Sequence, residues 1–166
     1  LHGTLYLSAE YSGERVNLNF GASLFGSTIQ RWDRYNYIGE DVNSSTAKGA
    51  GGSIKGGILL HLSKAEKLYA NVGWYSRLPY SSVWFASGNN SITKGVKNEK
   101  NLLGEAGWRK VWSGGGLELS GYAAYWKNKS LMSNKYKAED AEAVRYMITG
   151  LNALHIGLEA TLKQKF

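Results

Sequence analysis

Every second residue is apolar in seven separate stretches of this chain, and the connections between those stretches alternate strictly between short and long. Period two is the mark of a β-strand with one apolar face. The first stretch carries Leu5, Leu7, Ala9 and Tyr11, the second Val16, Leu18, Phe20, Ala22 and Leu24, and the third Ile54, Gly56, Ile58, Leu60 and Leu62. Leu68, Ala70, Val72 and Trp74 follow, then Leu102, Gly104, Ala106 and Trp108. The last two stretches hold Leu117, Leu119, Gly121, Ala123 and Tyr125, and Ile156, Leu158, Ala160 and Leu162. None of these 31 positions bears a charge or an amide, whereas the intervening ones are mostly polar, with Leu59, Leu103 and Ala124 as exceptions.

Alternation alone does not separate a soluble sandwich from a barrel turned inside out, because both bury one face. The connections do separate them. Residues 12–15, 63–67 and 113–116 are short turns, while 30–53, 76–101 and 127–152 are long loops. An up-and-down meander then has its tight turns at one end and its long loops at the other, which is how outer-membrane barrels are arranged. The expected fold is therefore all-β: antiparallel up-and-down transmembrane β-barrel strands, forming one barrel segment over residues 1–166. Tyr11, Trp108, Trp112 and Phe166 fall toward the short-turn end, and Trp74 and Tyr125 toward the other, as two interfacial aromatic girdles would. Lys110 interrupts the apolar pattern only beside a turn, where a lysine can snorkel. No apolar run reaches the ~18 residues of a membrane helix.

Several motifs, taken in order, resemble the barrel of TonB-dependent outer-membrane receptors, in particular the subgroup with a carboxypeptidase-like regulatory domain. They are Gly21 to Ser23 with Trp32-Asp33-Arg34-Tyr35, then Ile54-Lys55-Gly56-Gly57, and most specifically the run from Tyr69 to Tyr80. Lys97-Asn98-Glu99-Lys100 with Gly104-Glu105-Ala106-Gly107, Tyr122 to Lys127, and Gly157-Leu158-Glu159 complete the set. The resemblance implies a barrel of about 22 strands filled by a plug, so the chain reads as a part of one, with remaining strands and plug elsewhere. It also implies import of a nutrient across the outer membrane of a Gram-negative bacterium, energised through the TonB complex. Lipid and lipopolysaccharide are the expected surroundings.

The loop residues expected to touch ligand are Trp32, Tyr35, Tyr37, Arg77, Tyr80, Trp84, Phe85, Tyr136 and Tyr146, whose rings could stack on a sugar or grip a peptide. Asn71, Tyr75, Glu105, Arg109, Glu118 and Glu159 are the expected lumen residues. The chain carries a formal net charge of +7, of which the three long loops hold 0, +3 and +2. Lysines 94, 97, 100, 127, 129, 135 and 137 stand in those loops, where they could meet lipopolysaccharide phosphates.

No catalytic residue, cofactor or metal is expected. The histidines at 2, 61 and 155 have no second ligand at metal-binding spacing. Gly49 to Gly57 lacks the Gly-Lys-Ser/Thr order of a phosphate loop and reads as loop or bulge glycine. An outer-membrane enzyme would need a nucleophile and base gathered at the loop end, and His61 sits by a short turn. Two other readings compete: a complete small barrel with a structural or adhesion role, and a soluble basic β-protein binding nucleic acid. The last needs basic and aromatic residues on one strand face, but the lysines concentrate in loops and Tyr122 sits beside Glu118, so no nucleic-acid partner is expected.

Overall fold

A computed structural model describes residues 1–85, 89–132 and 147–165. Seven strands run in chain order as one antiparallel sheet: β1 (His2–Ser12), β2 (Val16–Ile29), β3 (Ala47–His61), β4 (Glu66–Arg77), β5 (Glu99–Trp112), β6 (Gly115–Met132) and β7 (Met147–Gln164). The only helical pieces among the described residues are a 3-10 turn at Gly39–Val42 and a single α-turn, α1 (Ser81–Trp84). The up-and-down all-β architecture expected from the alternation is the one present.

Each ladder pairs apolar with apolar and polar with polar positions. Leu18, Ile58, Ala70, Ala106, Gly121 and Leu158 lie opposite one another across β2 to β7. One residue on, Asn19, Gly57, Asn71, Glu105, Tyr122 and Gly157 form the matching row on the other face. A slip of one residue anywhere would swap the two rows, so the hydrophobic pattern excludes every odd-numbered slip.

Among the described residues nothing covers the apolar face. Leu5, Leu24, Leu154, Ile156 and Leu162 are exposed, and Leu158 is 88% exposed. The few buried apolar side chains, Ala47, Val83, Phe85 and Ala124, do not form a core beneath that face.

The short turns close tightly. At the β3–β4 turn the Ser63 hydroxyl accepts from the backbone N–H groups of Ala65 and Glu66 at 3.1 Å, and Ser113-Gly114 alone joins β5 to β6. At the other end the strands run past the alternating cores, leaving connections at 30–46, 78–98 and 133–146. Alternation ends before pairing does, because strand that rises beyond an apolar layer has water on both sides and no reason to keep one face greasy.

Two expectations change here. The glycines at 49, 51 and 52 belong to β3, not to a loop or bulge. A Cβ at Gly51 would meet the Phe25 ring and the Ser76 carbonyl oxygen, and one at Gly49 would meet Leu78, so neighbouring groups crowd the backbone where these residues have no side chain. Lys110 does not snorkel free: its Nζ pairs with Glu66 at 2.8 Å beside the turn.

Candidate functional site on the polar face

The polar face of the sheet carries a continuous set of side-chain interactions. Tyr69 donates its hydroxyl toward Glu105 at 3.3 Å and Glu118 at 3.2 Å, and Arg109 grips Glu118 through Nε (2.9 Å) and Nη2 (2.7 Å). Both tyrosines whose ladder partner is a glycine lie flat over it. A Cβ on Gly107 would sit about 2.5 Å from the Tyr69 ring, and one on Gly157 about as close to Tyr122. Glycine is required there so that a ring can cover the backbone, the arrangement that stiffens glycine-containing strands.

Toward the long loops this face hollows into a cavity of about 410 Å³. Ser23 and Ser53 share a hydrogen bond of 2.8 Å on one side of it. Tyr75, Asn101 and Trp126, successive partners across β4, β5 and β6, form the other. Trp126 has the Lys129 ammonium 4.4 Å above its ring and His155 edge-on at 6.2 Å. The Oδ1 of Asn101 is buried without a hydrogen-bond partner, an acceptor that a donor on a bound molecule would satisfy. Arg77 and Glu99 close the rim with a 2.8 Å ion pair, and Glu99 also accepts from the Ser130 backbone N–H at 3.1 Å. A second hollow of about 270 Å³ continues downward between Asn19, Lys55, Asn71 and Glu105.

The first two long loops are tied together by side-chain hydrogen bonds. Arg31 donates to the Asn89 carbonyl oxygen at 2.9 Å, and the Asn90 amide to those of Asp41 and Val42 at 2.7 and 3.1 Å. Asp33 organises the first loop, accepting from the Asn36 side chain and from the backbone N–H groups of Tyr35 and Asn36 while pairing with Arg31 at 2.8 Å. The Asn36 bonds, led by its side-chain amide, hold the Asp33 carboxyl below its ordinary value.

All six lumen candidates, Asn71, Tyr75, Glu105, Arg109, Glu118 and Glu159, occupy the polar face by register. Tyr75 lines the larger cavity and Asn71 and Glu105 the smaller, whereas Arg109 and Glu118 stand nearer the short turns and Glu159 on the edge strand β7. The loop candidates scatter. Tyr35 is 96% exposed, and Trp32 is exposed with Arg34 stacked 4.2 Å above its ring. Tyr37 accepts from the Asn90 backbone N–H at 3.4 Å, and Arg77 lies 4.8 Å over Tyr80. Phe85, directly after α1, is buried and lines a separate hollow with Ile29, Arg31 and Ser81. Tyr136 and Tyr146 lie outside the described residues.

Asn101, Trp126, Ser23 and Ser53 were not among the expected site residues. The signal that finds them is the ladder: continued two residues past Gly73, Leu103 and Ala124, the polar-face parity leads to Tyr75, Asn101 and Trp126. Among the described residues no group of three His, Asp or Glu side chains is placed to hold a metal.

No protein-family model matches this chain, and neither does any curated protein sequence. Twelve chains of solved structures do match. One is the copper transporter OprC, with a TM-score of 0.76 at 17% identity, aligned over 99% of this chain and 27% of that one. At that identity the likeness is one of fold, and the present chain spans about a quarter of the length of that protein.

Proposed function

We propose that these strands are a segment of the barrel of a TonB-dependent receptor, a nutrient importer in the outer membrane of a Gram-negative bacterium. The observation that carries this reading is the opposition of the two faces: a broad apolar surface that none of the described residues covers, backed by a polar face of ion pairs, tyrosines and hollows. The apolar face would meet lipid and the polar face a lumen filled by a plug. Ten residues separate the belt row at Leu102 from Trp112, about 34 Å of strand, or roughly 25 Å of height at a tilt of about 40°, the height of an outer-membrane apolar band. The motif resemblance and the fold of OprC both support the transporter reading.

In this reading ligand enters past the tied loops and rests against Tyr75, Asn101 and Trp126. The copper in OprC's name belongs to that protein. The hollow here offers rings, hydroxyls and an unpartnered amide oxygen, a surface suited to an organic ligand with hydrogen-bond donors.

Single cysteines in the full protein test the topology on intact cells. With an impermeant maleimide, Tyr35→Cys and Ser91→Cys label, and Glu14→Cys, Lys64→Cys and Ser113→Cys stay protected. Equal labelling of both sets overturns the arrangement.

A further inference from the structure

One like-charge pair stands on the apolar side of the sheet. Lys100 on β5 and Lys127 on β6 are direct ladder partners, one step beyond the row of Trp74, Leu102, Tyr125 and Leu154. Both are exposed, and neither forms an ion pair among the described residues. Directly opposed residues have Cβ atoms about 5 Å apart, a spacing at which two ammonium groups repel. The carboxylate next to Lys100 in sequence, Glu99, points to the other face, where it is buried and held by Arg77 and Ser130. The backbone fixes the pair in place. Directly after Trp126 the β6–β7 register shifts, Asn128 takes a φ of 58°, and its N–H donates to Asn152 Oδ1 at 3.2 Å. Such a bulge ends regular pairing and re-aims side chains, and here it falls immediately beyond Lys127. On the facing strand the Asn98 amide, donating to Ala50 and Ser76, anchors the chain just before Lys100.

Resting on the outer-membrane reading above, we infer that Lys100 and Lys127 form a binding site for the phosphate of an outer-leaflet glycolipid, lipid A. The two ammonium groups sit where a headgroup phosphate lies, just beyond an exposed Trp and Tyr belt against which acyl chains pack. A phosphate bridging the pair converts the repulsion into two charge-assisted hydrogen bonds.

Native mass spectrometry of the full protein in detergent tests this, with lipid A, its dephosphorylated form and inorganic phosphate as probes. Wild type retains lipid A in preference to the dephosphorylated form. Lys100→Gln with Lys127→Gln weakens retention by about thirtyfold, roughly fivefold per lysine, while Lys100→Arg with Lys127→Arg keeps it. Lys94→Gln, in the loop, leaves it unchanged. The site is overturned if the double Gln variant binds lipid A as wild type does, if Lys94→Gln weakens binding equally, or if millimolar inorganic phosphate displaces the lipid. Those failures leave the membrane reading standing. A full protein that stays folded and monodisperse without any detergent overturns that reading instead.

Discussion

At mid-strand the two faces of this sheet differ by a single residue step. The row Leu18, Ile58, Ala70, Ala106, Gly121 and Leu158 has no polar group in its side chains, and Leu18, Ile58, Ala106 and Leu158 stand exposed. The row Asn19, Gly57, Asn71, Glu105, Tyr122 and Gly157 is tied to its neighbours, Glu105 through the Tyr69 hydroxyl and Gly157 beneath the Tyr122 ring. One face thus depends on what surrounds the molecule, and the other on specific partners within it. A change on the first face is costly through solvation, whereas a change on the second is costly through geometry.

The largest difference between the faces comes from placing a charge on each. Ile58→Arg is expected to cost about 2 to 4 kcal/mol in a bilayer, and Asn71→Arg much less, since water or a carboxylate such as Glu105 can meet the guanidinium. Urea unfolding of the full protein in lipid vesicles measures both. Equal costs would break the assignment of faces.

Glycines give the next contrast. Gly107→Ala drives a Cβ into the Tyr69 ring and is expected to cost about 1 to 3 kcal/mol, as overpacking does. Gly104→Ala, three residues away with nothing within 4 Å of its Cβ position, is expected to change stability by less than about 1 kcal/mol, in either direction. The same unfolding experiment, run on Gly107→Ala with Tyr69→Ala, should recover part of the loss.

A smaller effect belongs to the Arg109–Glu118 pair, whose side chains are 53% and 29% exposed. Solvent screens such a pair, and a double-mutant cycle with Arg109→Gln and Glu118→Gln is expected to return about 0.2 to 1 kcal/mol. A coupling near zero would show that the ring-over-glycine packing, not charge, orders this face.

The smallest expected change is local and pH-dependent. Because the folded loop lowers the Asp33 carboxyl below its ordinary 3.8, Asp33 stabilises the loop at pH values above that figure. The contribution is lost as pH falls through the lowered value. Cleavage after Arg31 and Arg34 by an acid-tolerant arginine-specific protease should therefore rise at low pH in wild type, and Asp33→Asn should cleave readily at every pH.

Much of this was legible in the residues. Period two over seven stretches specified seven strands, and tight turns such as Ser113-Gly114 forced neighbours to run antiparallel. The same parity put Asn71, Glu105 and Glu118 on one face without any knowledge of their partners. The loop aromatics were less legible. Trp32 and Phe85 look alike in sequence, yet one is exposed and the other buried, because burial of a loop ring depends on which other loop folds across it.

The sequence by itself determined the strands and the identity of each face, since alternation is a local property and every ladder preserves it. Only the tertiary structure decided where the cavity lies, because Ser23, Ser53, Tyr75, Asn101 and Trp126 come from β2 to β6 and meet only when the ladders bring their ends level. It also decided that Glu99 turns to Arg77 while Lys100 and Lys127 stand together on the other side. Charge counting along a chain sums these residues, but pairing depends on which side of the sheet each one leaves.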